Sequence, residues 1–289
     1  MVKKSGFLFI IGIASLLSAS SQGWTADFFA GTANYQGDLL EKRYTMQNSH
    51  FSLGLGAGYT FNEHFRVRGL LSFGKITADD KDNTDPSLLA RNLNFFTDIT
   101  ELSVTAHYDI LDIKYSRVTP YVFAGLGLFH FNPYTYDSTG NKIMLKPLST
   151  EGQGLQAYPN RKPYSLIQLN IPFGAGIKFA INESITLAWE IGLRKTFTDY
   201  LDDLSNTYVD ESILLTERGP VATAMAFRGD ELKNSPGTYP IEGSVRGGPE
   251  YKDWYYFSGL TASYTLPFGE SYRVSKSKRG SVSCPRPLF

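Results

Sequence analysis

Hydrophobic residues recur at every second position over long stretches of this sequence, and this pattern restricts the fold more than any other feature. In the first clear stretch, apolar side chains occupy the odd positions from Phe51 to Phe61, and Ser, Gly and Thr fill the even positions. A period of two is that of a β-strand, in which successive side chains point to opposite faces of a sheet. The pattern therefore predicts a β protein.

The same alternation returns along the chain and predicts eight strands, the first of them weaker than the rest. The predicted strands are Trp24–Tyr35, Phe51–Phe61, Phe65–Gly74, Glu101–Tyr108, Tyr121–Phe131, Ile167–Ile181, Ile185–Arg194 and Trp254–Leu266. Alternating strands also occur in soluble β-sandwiches, so the pattern alone leaves two architectures open.

The connections between the strands favour a membrane barrel over a sandwich. Short connectors such as 62–64 and 182–184 alternate with long ones such as 198–253. Transmembrane barrels have short turns at one end and long loops at the other, whereas a Greek-key sandwich gives no reason for this regularity. We therefore predict an all-β fold, an eight-stranded antiparallel up-and-down transmembrane β-barrel.

Strand length and aromatic content agree with this prediction. The apolar faces suit the roughly 9–11 residues that a tilted spanning strand needs. The chain has 18 Tyr and 20 Phe, and many of them lie near predicted strand ends. We expect them to form interfacial girdles. The expected girdle residues are Tyr59, Phe61, Phe65, Tyr108, Tyr121, Phe129, Phe131, Phe179, Phe197, Trp254 and Tyr256.

The N-terminus has the layout of a secretory signal peptide. A basic start, Met1–Lys4, precedes an apolar run over Phe7–Leu17 and the small residues Ala19–Ser21. The expected organisation is a signal peptide over residues 1–21, a barrel over 22–269 and a tail over 270–289. The expected location is the bacterial outer membrane, with the tail in the periplasm.

Composition excludes several functional classes. The 28 basic residues balance 28 acidic ones, whereas nucleic-acid-binding proteins usually carry a basic excess. A single Cys and isolated His residues offer no metal-ligand spacing. No phosphate-binding glycine loop follows a predicted strand, and glycines within strands are expected to make room for large lumen neighbours. We predict no cofactor, no metal and no nucleic-acid partner.

Charged residues lie on the predicted inward faces, where acids and bases can pair in a polar lumen. The predicted network comprises Asp27, Arg66, Arg68, Glu101, His107, Lys178, Glu190 and Arg194. Glu101, Ser103 and His107 also share one face, as parts of a nucleophilic triad could. Residues four apart along a strand are about 13 Å apart, so no catalytic residue is predicted.

Two loops stand out by composition. The acidic run Asp79–Asp85 lacks the register of a calcium loop and is predicted to be a solvated loop. The connection 198–253 is too long to be a mere link, and we interpret it as a partner-contact or lid element, with a disordered loop as the alternative. Within it, Tyr200–Tyr208 is a candidate short helix.

The tail is basic and contains the one cysteine. A lone Cys in an exported protein can form an intermolecular disulfide, act as a reactive thiol or remain an inert thiol. Basic residues there can contact an acidic partner or lipid head groups. The candidate partner-contact residues are Arg273, Lys276, Lys278, Arg279 and Cys284.

Several stretches resemble the PorG family, outer-membrane barrels of the type IX secretion system of Bacteroidetes. They are 34–38 (Asn-Tyr-Gln-Gly-Asp), Pro120–Gly127, Arg194–Tyr208 continuing to Asp210, and the Cys284-Pro ending. The resemblance covers nearly the whole mature chain, and the run Phe197–Asp203 is its most specific part.

The resemblance implies a non-enzymatic barrel that associates with a periplasmic ring of PorK and PorN and helps to export cargo. It also implies that the tail around Cys284 contacts the ring. Three hypotheses remain open: a secretion anchor or docking component, as the resemblance implies, an OmpA/OmpX-like surface barrel that binds ligands or host surfaces through its loops, and a lipid-modifying barrel enzyme.

Overall fold

The computed structural model of the protein describes residues 23–40, 48–113, 116–233, 237–248 and 252–267. Within these ranges it has ten strands and three α-helices. The strands are β1 Gly23–Gln36, β2 His50–Thr60, β3 Phe65–Asp79, β4 Asn94–Asp109, β5 Val118–His130, β6 Pro133–Tyr136, β7 Lys142–Met144, β8 Ile167–Ala180, β9 Ile185–Thr196 and β10 Trp254–Thr265. The helices are α1 Pro86–Arg91, α2 Glu211–Arg218 and α3 Pro220–Ala226.

Eight of these strands close into an antiparallel barrel, as predicted. Each of β1–β5 and β8–β10 pairs with its neighbours in the chain, and β1 pairs with β10 from Thr25↔Thr265 to Gln36↔Trp254. Closure leaves the barrel without a free edge. The small hairpin β6–β7 extends the sheet beyond the barrel by pairing with β4 at Phe96↔Tyr134.

The alternation of connection lengths is confirmed. The connections 61–64, 110–117 and 181–184 lie at one end, which we call the turn end, together with the start of β1 and the end of β10. The other four connections lie at the loop end. The turns at 61–64 and 181–184 are built alike, because Asn62 and Asn182 each accept two backbone N–H groups, one from the last residue of the turn and one from the first residue of the next strand.

The outer wall is apolar and exposed. Large side chains on five strands are between 57% and 69% exposed, namely Leu55, Leu102, Leu126, Leu169 and Leu260. A continuous apolar surface of this kind suits contact with the hydrocarbon of a lipid bilayer. A closed barrel also pairs all its backbone N–H and C=O groups between strands, so it needs no water to do so. The barrel is therefore a transmembrane barrel. In the part of the chain that the structure describes, no helix is long and apolar enough to cross a membrane.

Only part of the expected aromatic girdle lies outside. At the turn end, Trp24, Tyr59, Phe61 and Phe65 form a chain of ring contacts on the outer surface. The placement of three other aromatics in a girdle was wrong, because their positions along β5 and just after it turn them inward. These buried residues are Tyr121, Phe129 and Phe131. A fourth expected girdle residue, Tyr256, is also buried, at 8% exposure.

The long connections fold into a compact cap over the loop end. We use the word cap for the described residues of 37–49, 80–93, 131–166 and 197–253. Barrel residues such as Ile76 and Phe95 share one hydrophobic core with cap residues such as Leu39, Leu201 and Met225. A second small core joins α2 and α3 through Leu214 and Ala222, among others. Loops that bury this much apolar surface are folded structure rather than coil.

Two loop predictions are corrected by the cap. The run Tyr200–Tyr208 is irregular, and the helices form after it, where Asp210 caps α2 by accepting the N–H of Ile213. Aspartate and asparagine compete with helical hydrogen bonds, which favours this result. The acidic run Asp79–Asp85 is not fully solvated, because Asp80 is buried and paired with Arg91.

Candidate functional site

The lumen is filled by side chains rather than by an open channel. An eight-stranded barrel has an interior just wide enough for that. Glycines on the inner face make room for the largest groups: a methyl group at Gly58 would lie 2.5 Å from the guanidinium of Arg66, and one at Gly192 would lie 2.9 Å from the ring of Phe123. The predicted role of these glycines is confirmed at these positions.

Four buried ion pairs cross the lumen, two near the turn end and two closer to the loop end. Near the turn end, Lys178 contacts Asp109 at 2.7 Å, and Arg66 donates to Asp27 and to Thr25. All four pairs are formed between strands that are not paired in the sheet, so each pair spans the interior.

The two pairs closer to the loop end are embedded in polar and aromatic neighbours. Arg68 Nη2 lies 2.9 Å from Glu190 Oε1, and Tyr121 also donates to Glu190. Arg194 Nε lies 3.2 Å from Glu101 Oε2, which also accepts from Asn170 and Tyr255. In a site shielded from water, a charge of this kind needs a partner and further hydrogen bonds. Both carboxylates have them.

The structure places all eight residues of the predicted network inside the barrel, but it does not bring them all together. Seven of them belong to the four pairs, whose eighth member, Asp109, was missed because it lies at the end of a strand. His107 stands apart, with its Nε2 2.9 Å from Thr105 Oγ1. Its ring also stacks on Phe123.

The residues considered for a nucleophilic triad do not converge. Glu101 is engaged with Arg194, and the hydroxyl of Ser103 donates to the backbone carbonyl of Leu70. Among the described residues, no group of His, Cys, Asp and Glu is arranged to hold a metal ion.

A single segment of the long connection closes the loop end of the barrel. We call Thr198–Tyr208 the mouth segment. Its residue Leu201 is fully buried, accepts a hydrogen bond from Thr97 of β4 at its carbonyl, and donates its N–H to Asp253. Asp202 accepts from the hydroxyl of Tyr35 at 2.6 Å. The segment is thus attached to β4, to the end of β1 and to the residue that precedes β10.

The rest of the cap holds the mouth segment from outside. Glu151 accepts the N–H groups of Ser205 and Asn206 and pairs with Arg246 at 3.0 Å. Asp203 has a positive φ of 67° and accepts from Thr150 and from Tyr164. Aspartate tolerates this left-handed conformation better than most residues, so the turn suits its sequence.

A small cavity lies within the cap. Its volume is about 10 Å³, and its lining includes Leu39, Leu93, Asp202 and Met225. That is room for about one water molecule, whereas small-molecule sites usually measure hundreds of cubic ångströms. This cavity is therefore too small to be a small-molecule site.

Buried carboxyls in the cap titrate abnormally. Burial raises the pKa of Asp199 to about 7 and that of Asp203 to about 6. Burial, together with the charge of Asp38, raises the pKa of Asp202 well above its usual range. Sequence reasoning missed these groups, although apolar Leu201 and Leu204 among the acids were a signal that the run is buried.

The candidate tail contacts lie outside the described residues. These are Arg273, Lys276, Lys278, Arg279 and Cys284. The predicted signal peptide, residues 1–21, also lies outside them.

Most of the chain matches one domain family. Residues 4–216 match the family described as "Domain of unknown function (DUF6089)". The chain belongs to the DUF6089 family. This family match reaches beyond the last residue of the mouth segment, so it includes the segment that seals the barrel. No curated protein matches the chain significantly.

Solved outer-membrane barrels share the general architecture of this DUF6089 protein. Neisserial surface protein A is 12% identical, covering 86% of this chain and 100% of its own, with a TM-score of 0.42. A major outer membrane protein from Thermus thermophilus is 13% identical, with the same coverage and TM-score. OprG from Pseudomonas aeruginosa is 12% identical over 86% and 99%, with a TM-score of 0.39. These likenesses concern the fold alone.

Proposed function

We propose that this protein is a non-conducting outer-membrane barrel of the type IX secretion machinery, which anchors or docks periplasmic ring proteins of the PorK/PorN type. The observation that carries the proposal is the closure of the barrel, in the lumen by four ion pairs and at the loop end by the mouth segment. A barrel without an open path acts through its surfaces.

The turn end is the surface that this proposal uses. In outer-membrane barrels the short turns face the periplasm, and here the end of β10 lies on that side. A tail that follows β10 would start in the periplasm, where the ring proteins are proposed to lie. Its cations and Cys284 are therefore the proposed contact residues, including an intermolecular disulfide at Cys284.

The resemblance to the PorG family supports the capped barrel more directly than it supports ring proteins as the binding partner. Its most specific run, Phe197–Asp203, overlaps the mouth segment, in which Leu201, Asp202 and Asp203 are buried. Buried residues can resemble those of the PorG family because the two proteins share the packing of the cap, whether or not they share a partner. The tail therefore remains the part of the proposal that an experiment must examine.

Co-purification of the full chain with PorK/PorN-type ring proteins tests the docking role. We expect deletion of residues 271–289 to abolish co-purification and to stop export of cargo, and Cys284→Ser to abolish only a partner adduct seen without reducing agent. Arg117→Gln, which removes an exposed cation at the turn end, is the matched control and should change nothing. Full co-purification and export by the deletion variant would refute the docking proposal.

One observation favours a second function, binding of ligands or host surfaces through the loops. The cap exposes Ile241 and Val245, at 83% and 77%. If these residues mediate attachment, Ile241→Ser with Val245→Thr should reduce binding of cells to a surface while cargo export remains normal. Unchanged attachment would rule this function out.

A further inference from the structure

Two fully buried carboxylates meet one tyrosine hydroxyl at the barrel mouth. The hydroxyl of Tyr35, at the end of β1, lies 2.6 Å from Asp202 Oδ2 and 3.1 Å from Asp253 Oδ1. Asp202 belongs to the mouth segment, and Asp253 immediately precedes β10. The contact therefore joins the mouth segment to both sides of the β1–β10 seam.

The number of protons at this contact does not match the number of acceptors. A tyrosine hydroxyl has one proton to donate, so it can satisfy only one of the two carboxyl oxygens. The other oxygen of each carboxyl is already used, because Asp202 Oδ1 accepts from Leu204 N and Asp253 Oδ2 accepts from Leu201 N. Two buried carboxylates that share one hydroxyl cannot both ionise without a large electrostatic cost.

No cation among the described residues forms an ion pair with either carboxylate. The surrounding cations have other partners. Lys252 lies 3.9 Å from Asp199, Arg91 pairs with Asp80, and Arg246 pairs with Glu151. A proton is then the simplest positive charge that can compensate the pair.

The backbone packs too closely around the contact to admit a metal ion from that side. A methyl group at Gly37 would lie 2.0 Å from both Asp253 Oδ1 and the hydroxyl oxygen of Tyr35. The described acidic residues also do not form a metal-binding group.

We propose that the mouth segment is a pH-sensitive latch, closed while the Asp202–Asp253 pair holds a proton and released from the barrel when that proton is lost. Two anions then face each other around one hydroxyl. The hydrogen bonds that the backbone N–H groups of Leu201 and Leu204 donate to them cannot offset the repulsion. Other acidic groups add to this repulsion: Asp38 follows β1, and Asp199 lies on the segment itself.

The sign of the pH dependence follows from the direction of the shifts. Burial and the neighbouring Asp202 raise the pKa of Asp253 well above its usual range, and burial raises the pKa of Asp199 to about 7. A carboxyl with a raised pKa stabilises the closed state at low pH, and this contribution is lost as the pH rises through the folded pKa. For Asp199, this stabilisation of the closed state is lost as the pH rises from about 4 to about 7.

Hydrogen exchange of the full chain in lipid vesicles tests the latch. After correction for intrinsic exchange rates, we expect protection of the amides of 198–208 to fall as the pH is raised from 5 to 9. The fall should approach tenfold per pH unit for each proton released. Amides of β5 serve as the barrel reference and should keep their protection.

Substitutions separate the latch from a general loss of stability. Asp202→Asn and Asp253→Asn each keep one acceptor and supply a donor in place of the carboxyl proton, and we expect each to flatten the pH dependence. Asp230→Asn, at an exposed cap carboxyl, should behave like the unaltered chain. If one variant fails to fold, the other still decides the matter.

Three results would overturn the proposal. The first is protection of 198–208 that does not change between pH 5 and 9 in the unaltered chain. The second is a pH dependence that persists undiminished in both Asn variants. The third is a change in protection at constant pH on adding Ca²⁺ or a chelator, since a cation rather than a proton would then hold the pair.

Discussion

Buried charge is handled differently in the lumen and at the mouth. In the lumen each carboxylate has an Arg or Lys partner, as Glu190 has Arg68 and Glu101 has Arg194. At the mouth, Asp202 and Asp253 contact backbone N–H groups and one hydroxyl. Buried carboxyl groups are therefore paired with cations in the lumen but not at the mouth contact.

The difference indicates different tasks. Paired ions inside a membrane barrel have no access to bulk water, and each ion depends on its partner. Such a network fixes eight strands in one arrangement and holds the lumen closed. Carboxyls without cations instead make closure of the mouth depend on protons. The lumen is thus the permanent seal, and the mouth is the adjustable one.

Breaking one lumen pair should have the largest effect. Arg68→Leu leaves Glu190 buried with Tyr121 as its remaining partner, so we expect a loss of about 3–5 kcal/mol in the free energy of unfolding. Urea unfolding in lipid vesicles measures it. Lys75→Met, at an outward and half-exposed pair with Asp98, is the matched control and should cost less than about 1 kcal/mol. Equal effects of the two would mean that the lumen pairs do not hold the barrel.

Removing apolar packing at the mouth should have an intermediate and local effect. Leu201 is fully buried between the cap and the barrel, and Leu201→Ala should raise the free energy of the closed cap by about 2–5 kcal/mol. Hydrogen exchange should then increase in 198–208 and stay unchanged in β9. A parallel loss of protection in β9 would show that cap and barrel unfold as one unit.

Removing the cation next to the mouth should have the smallest effect. Lys252 is half exposed and lies 3.9 Å from Asp199, so Lys252→Gln should change cap stability by less than about 1 kcal/mol. The same exchange measurement applies, with Arg246→Gln as the contrast, because its pair with Glu151 is buried. A large effect of Lys252→Gln would mean that the mouth is also held by ion pairs, and the contrast with the lumen would disappear.

The sequence reveals the barrel because lipid imposes a simple rule on it. All eight barrel strands follow from alternation, since every second side chain must be apolar where the wall meets lipid. Outward side chains need not be apolar where the barrel wall extends beyond the lipid, so alternation no longer marks the strand there. The ends of β3 and β4 beyond Gly74 and before Glu101 were missed because Lys75 and Asp98 occupy outward positions there.

The cap could not be predicted in the same way. Its cores join residues far apart in the chain, such as Leu39, Leu145 and Met225, and no period relates them. The partner of Glu151 is an isolated Arg246 with no motif around it. The packing of irregular loops depends on how the shapes of distant side chains fit together. A pattern of residue types along the chain does not reveal this fit.

Conductance of the purified full chain in a planar lipid bilayer tests the central claim most directly. A barrel sealed by lumen ion pairs and by the mouth segment should give no stable open-channel current, and the Leu201→Ala variant should remain silent because the lumen pairs persist. Well-defined, long-lived current steps from the unaltered chain would contradict the closed barrel, and with it the proposal that this protein acts as an anchor rather than a pore.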